Sequence, residues 1–178
     1  MIIFDTETTG FAKGDAVPLK QQPQIIEFAG IKLDPETLEE VERLEFLANP
    51  GIKLPSKIVE ITGITDDLLK DELPFSASYG KLASFFLGET TLVAHNLDFD
   101  RKMMFFELAR LGRQLQFPWP PRHICTVEKS YSLHGYRLSL AKLYKEATGE
   151  EFEGAHRAMA DTEALVACVK WMREKGLL

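Results

Sequence analysis

Three short stretches of this chain carry acidic side chains at spacings that could hold divalent cations and hydrolyse a phosphodiester. The first is Asp5-Thr6-Glu7. In an extended backbone, residues i and i+2 project to the same side, so both carboxylates would share one face. The second is LVAHNLDFDRKMM, residues 92–104, with Asp98 and Asp100. The third is GAHRAMADTEAL, residues 154–165, with His156 and Asp161. On one continuous helix those last two would diverge by about 140°. With His156 in the loop before the helix, they can converge. Four carboxylates gathered at one place would raise one another's pKa and resist burial, a conflict that bound cations resolve. Oxygen-only donors suit Mg²⁺ or Mn²⁺ better than zinc. Two such ions about 3.5–4 Å apart can flank a phosphodiester, activating water on one side and steadying the leaving oxygen on the other.

Each signal alone has an ordinary reading. An isolated D-x-E opens a solvated loop more often than it binds metal. An aspartate in the first turn of a helix serves the macrodipole or the cap. The helical spacing, however, puts Asp100 on one stripe with Met104, Leu108 and Leu111, and Asp161 on one stripe with Leu165, Cys168 and Met172. Both acids therefore lean toward the apolar side of their helices. Asp98 is left as the helix cap.

The elements that must position these groups follow from pattern. Residues 1–5 read as a buried strand, and residues 10–23 as a polar loop. Residues 25–33 and 41–48 read as strands of a hairpin turned at Asp34-Pro35-Glu36. Ser56 and the Thr65-Asp66-Asp67 run open short helices, and Ser76 or Ser78 opens one reaching about residue 87. Residues 91–95 and 123–125 are strands. Helices are predicted over 99–111, 127–132, 138–148 and 158–175. A hairpin followed by alternating strands and helices predicts an α/β fold with a central mixed sheet.

The 178 residues suit a single domain over 1–178, long enough to bury a core without staples. A net charge of −6 argues against a broad nucleic-acid-binding surface, though not against a grip on a strand end. Cys125 and Cys168 lack metal-ligand spacing and read as buried thiols of a reducing compartment. No run approaches the length of a membrane span. The start MIIFDTETTG lacks the features of a signal peptide, so cytoplasm is the expected location.

Taken in order, D-x-E, HN-x-x-FD and H-x(4)-D resemble the three Exo motifs of the DnaQ-like (DEDDh) 3′→5′ exonucleases. The similarity is greatest to the epsilon-type branch, the proofreading subunit of bacterial DNA polymerase III. DTETTGF (5–11), IIEFAGI (25–31), NPGIKLP followed by ITGIT (49–65) and CT (125–126) agree with that branch. The resemblance implies a ribonuclease H-like sheet of about five strands flanked by helices. It also implies release of nucleoside 5′-monophosphates from DNA 3′ ends with two divalent cations, Mg²⁺ or Mn²⁺. Asp5 would bridge both ions, Glu7 and Asp161 would complete the nucleophile side, and Asp100 would serve the second ion. His156 would be the general base, so activity should fall in mild acid. Thr8, Thr9, Gly10 and Phe11 would line the terminal-nucleotide pocket, Phe99 would pack on a base, and His95 and Asn96 would orient the site. Where this branch commonly has histidine before Gly63-Ile64, this chain has Thr62, a departure at one expected substrate contact.

His123 and His134 match no motif. Arg137, Lys142, Lys145 and Arg157 could offer charge to phosphates, although residues like these more often simply solvate a helix face. Two rival readings stand beside the DNA exonuclease: an RNA-trimming enzyme of the RNase T or oligoribonuclease kind, and a non-catalytic binding module. Leu178 follows the last helix closely, so a polymerase or clamp partner would have to be met through the surface and not through a long tail.

Overall fold

The computed structural model describes residues 1–14 and 16–178. Among these, strands β1 (Ile2–Thr8), β2 (Ile25–Leu33), β3 (Glu40–Leu47), β4 (Thr91–Ala94) and β5 (Arg122–Cys125) form one sheet ordered β3-β2-β1-β4-β5. Helices are α1 (Ser56–Thr62), α2 (Asp66–Leu69), α3 (Phe75–Phe86), α4 (Leu97–Arg110), α5 (Thr126–His134), α6 (Leu140–Thr148) and α7 (Ala158–Glu174). β1 pairs antiparallel with β2 and parallel with β4, so the sheet is mixed, as the element pattern predicts. The 10–23 stretch is mostly irregular with one 3₁₀ turn at Leu19–Gln21, and residue 15 lies outside the described residues.

β1 and β2 are buried on both faces, which is why their apolar runs barely alternate. Ile2 and Phe4 point into a core shared with Phe28, Phe86 and Met104. Ile3 points the other way, into a core with Ile31, Val93, Leu165 and Cys168. Thus α3 and α4 cover one face, and α6 and α7 the other. β3 is one of the two outer strands, and its Glu40, Glu42, Arg43 and Glu45 are exposed; charges on an edge strand discourage pairing with another chain.

Several boundaries differ from the sequence reading. β1 continues to Thr8, so Asp5 and Glu7 lie within a strand and not at its end. α4 opens at Leu97, because Asn96 adopts a left-handed conformation (φ 71°) and turns the chain directly out of β4. Asp98 is therefore inside the first turn and does not cap it. Pro55 precedes α1, making Ser56 its first helical residue, while Thr65 does cap α2 through its side chain. Cys168 is buried, but Cys125 is only partly so. Among the described residues no helix is long and apolar enough to cross a membrane.

Candidate active site

The site sits where β1 outruns β4. The two pair only at Ile2–Leu92 and Ile3–Val93, so the edge of β1 beyond Ile3 is open. α4 leaves β4 there and delivers Asp100. Its carboxylate accepts from the Thr6 backbone N–H at 3.1 Å and the Thr6 hydroxyl at 2.7 Å. One acid of the set thus satisfies a strand-edge donor that would otherwise lose its partner. Such a crevice at the carboxyl ends of strands is where open α/β sheets take ligands.

Asp5 and Glu7 project from the opposite face of β1 from Thr6, toward α7. Asp161, in the first turn of α7, is 8% exposed. His156 lies in the preceding loop at φ 69°, and its backbone N–H donates to the Asp161 carboxylate at 2.8 Å. That bond closes the loop onto the helix and brings the imidazole and carboxylate together, as the loop placement of His156 requires. One ring nitrogen of His156 and carboxylate oxygens of Glu7 and Asp161 lie within 4.8 Å of one another. The four acids and His156 share one open groove with His95 and Phe99.

The electrostatics fit a site meant to be filled by cations. Burial, then the charges of Asp100, Asp161 and Glu7, hold Asp5 well above the usual carboxylate range. Burial and the neighbouring acids push Glu7 up to about 8. Burial carries Asp100 up to about 7 against the hydrogen bonds from Thr6, and burial also raises Asp161. Raised carboxylate values mean that repulsion and desolvation oppose ionisation in the folded chain. These groups favour folding below their unfolded pKa of about 4, and that contribution is lost as pH climbs through the folded values. Without metal, the melting temperature should therefore fall between pH 5.5 and pH 8.5, and Mn²⁺ should raise it more at the higher pH. Each kcal/mol of relieved repulsion is worth about 2–4 °C in a domain of this size. Differential scanning fluorimetry in EDTA and in Mn²⁺ checks this. A flat or rising melting temperature in EDTA contradicts it.

The remaining predicted residues divide. His95 lines the groove, and its Nδ1 is 2.9 Å from the Thr126 hydroxyl; burial lowers its pKa to about 4, so it is neutral at physiological pH. Phe99 meets the exposed Phe11 edge to face at 5.9 Å. The Thr8 hydroxyl donates to the Gly10 carbonyl, and the Thr9 N–H to Gln24, which leaves the Gly10 N–H with only a long 3.4 Å contact. Gly10 has φ 150°, a region that resists side chains. Asn96 serves as the left-handed corner before α4 and makes no side-chain cap bond. Thr62 is not brought to the groove: it is buried, donating to Ile58 O and accepting from Ile64 N, because it closes the end of α1.

Glu27 is the residue the motif reading missed. It stands opposite Glu7 in the β1–β2 register and is 1% exposed. The Arg157 guanidinium grips it through Nη2 at 2.7 Å and Nε at 3.1 Å, and the Ala158 N–H donates to it at 2.8 Å. Glu27 thereby fixes the start of α7, and with it Asp161 and His156. A lone carboxylate inside the apolar run IIEFAGI was the available signal, since a buried charge requires a partner. Arg157 is consequently committed to Glu27 and is not a free phosphate contact. Arg137 and Lys145 are likewise paired, with Glu128 and Glu151.

The sheet order, the flanking helices and the crevice beside β1 define a ribonuclease H-like fold. The nuclease domain of 3′hExo, a DEDDh family member solved with rAMP, superposes with a TM-score of 0.76 at 20% identity, covering 98% of this chain and 92% of that one. E. coli Exonuclease I in complex with a dT13 oligonucleotide gives 0.74 at 21% identity, covering 97% and 40%. An exonuclease family model of the RNase T type matches residues 2–169, and the chain belongs to that family. In sequence, a PolC-type DNA polymerase III from Staphylococcus haemolyticus is 34% identical over 99% of the chain. The chain spans only 12% of that relative's length.

Proposed function

We propose that residues 1–178 act as one domain that removes nucleotides from the 3′ end of DNA as nucleoside 5′-monophosphates. What carries this reading is the convergence of Asp5, Glu7, Asp100 and Asp161 on one groove beside an exposed imidazole. Two divalent cations fit that donor set of four carboxylates whose ionisation the fold opposes, since the Arg157 charge near Glu7 and the His156 charge near Asp161 offset less than burial adds. Asp5, Glu7, Asp100 and Asp161 would hold them, and Mg²⁺ or Mn²⁺ would supply neutralising charge and Lewis acidity to the scissile phosphate.

The chain's own groups do the rest. His156 accepts a proton from the attacking water and is free to turn, because only its backbone is tied to Asp161. Asp161 and Glu27 hold the loop that presents it. The lightly engaged Gly10 N–H can meet a terminal 3′-hydroxyl. Phe11 and Phe99 offer edges and faces against which bases pack. Neutral His95 orients the floor of the groove.

Similarity to a PolC-type polymerase favours DNA and makes a polymerase partner in the cytoplasm a reasonable setting. RNA is the second reading, favoured by a fold neighbour described as recognising the 3′ end of a histone mRNA stem-loop. Digestion of 5′-labelled DNA and RNA strands, each with a free or phosphorylated 3′ end, tests both. The expected product is a ladder shortening from the free 3′ end, faster for DNA and absent in EDTA. Internal cuts, or intact strands with both Mg²⁺ and Mn²⁺, would overturn the proposal.

A further inference from the structure

Residues 153–157, which present the His156 imidazole, are all exposed, so no buried apolar side chain of theirs holds them in place. His156 itself sits at φ 69°, a conformation that a β-carbon disfavours and that persists only where the surroundings enforce it. Polar contacts must therefore set where the imidazole points. Two of them run to Asp161: the His156 N–H donates to its carboxylate, and the Arg157 carbonyl accepts from its N–H at 2.9 Å. Those bonds tie the segment to its own helix and leave its place against the sheet undetermined.

Among the described residues, the hydrogen bonds from this segment to the sheet all end on Glu27 of β2. Arg157 reaches it with two donors, Nε and Nη2, a fork that fixes direction as well as distance. Glu27 faces Glu7 across the β1–β2 register, and its charge bears on Asp5, Glu7 and Asp161. One end of the pair is thus anchored beside the acidic groove, and the other adjoins His156 in the chain. Burial is lopsided, with the Glu27 side chain 1% exposed and that of Arg157 46%. Removing the guanidinium would leave a buried charge without its counter-ion, open to solvent from the side that Arg157 occupied. The helix itself does not depend on the pair, since Leu165, Cys168, Val169 and Met172 fix α7 in the core.

We propose that Arg157 and Glu27 form a positioning pair for the reaction: it aims His156 at the acidic groove, and the fold stands without it. The inference rests on the exonuclease reading of that groove and adds a pair that acts through His156. A reacting group misplaced by about 1 Å costs about 10²-fold in rate, so an exposed, strained loop needs such an anchor.

Arg157→Ala should lower kcat on a short single strand of DNA by about 10²-fold, with KM near the parent value and a folded circular dichroism spectrum. Guanidinium chloride at about 50 mM, far below the molar range that unfolds proteins, should bring kcat back to within about tenfold of the parent, and NaCl at the same concentration should not. Glu27→Gln, which keeps an acceptor for the Ala158 N–H and discards the charge, should lose kcat and gain nothing from guanidinium. A parent-like kcat in Arg157→Ala, a loss confined to KM, or a loss that guanidinium reverses no better than NaCl overturns the proposal. Should Arg157→Ala not fold, Arg157→Lys takes its place. It keeps the charge and loses the fork, so a lower kcat at unchanged KM supports the pair and a parent-like kcat rejects it. If the parent protein cleaves no strand, the nuclease reading falls by itself, and amide hydrogen exchange decides the pair. Exchange at the His156 N–H should then speed up about tenfold in Arg157→Ala and slow again with guanidinium, and an unchanged rate rejects it.

Discussion

Asp5→Ala should leave a folded protein without measurable turnover, and Asp161→Ala should do the same. Cation stabilisation of transition-state charge is worth several kcal/mol, and each 1.4 kcal/mol is about tenfold in rate, so losses of about 10³-fold or more are expected. The fold should survive because these carboxylates oppose ionisation in the folded chain. Removing Asp5 relieves its repulsion with Asp100, Asp161 and Glu7. In EDTA at pH 8, Asp5→Ala should therefore melt at or above the parent temperature while losing activity. Asp161→Ala is the less clean of the two, because it also releases the His156 backbone N–H and so frees the loop. Rates on a 5′-labelled strand, read beside circular dichroism and melting curves, check both. Metal-dependent activity within tenfold of the parent in both variants would falsify the assignment of the acidic groove.

His156→Ala should reduce kcat by about 10²–10⁴-fold, the range for loss of a general base. Mn²⁺ affinity and the KM for a strand should stay near the parent values. The geometry makes this split informative. A ring nitrogen of His156 lies within 4.8 Å of Glu7 and Asp161 oxygens, close enough for the imidazole to act as a ligand instead of a base. If calorimetry shows Mn²⁺ binding weakening in step with the rate, His156 is a ligand and the base assignment is wrong. His95 cannot stand in for it as a group that changes charge in mild acid, because burial holds its pKa at about 4. An unchanged kcat in His156→Ala would remove this residue from the chemistry.

Much of this site is legible along the chain. Helical spacing puts Asp100 and Asp161 on the apolar-facing stripes of their helices, and both are buried, as are Met104 and Leu165 on the same stripes. The i, i+2 rule sets Asp5 and Glu7 on one face of β1. Placing His156 before α7 and not on it was the geometric condition for its meeting Asp161, and the loop satisfies it. Composition could not reveal that Arg157 and Lys145 are paired, since a lysine or arginine reads the same whether or not an acid folds against it.

What the amino-acid order determined by itself was the identity and local facing of the acids in the candidate site, because strand and helix periodicity depend on residues a few positions apart. Tertiary structure alone decided that β1 outruns β4, that Asp100 crosses 94 positions of chain to satisfy Thr6, and that Glu27 reaches across 130 to anchor Arg157. Those choices are set by strand register and by buried polar groups finding partners. Neither is encoded in any short window, because the energy that selects them exists only once distant segments are packed together.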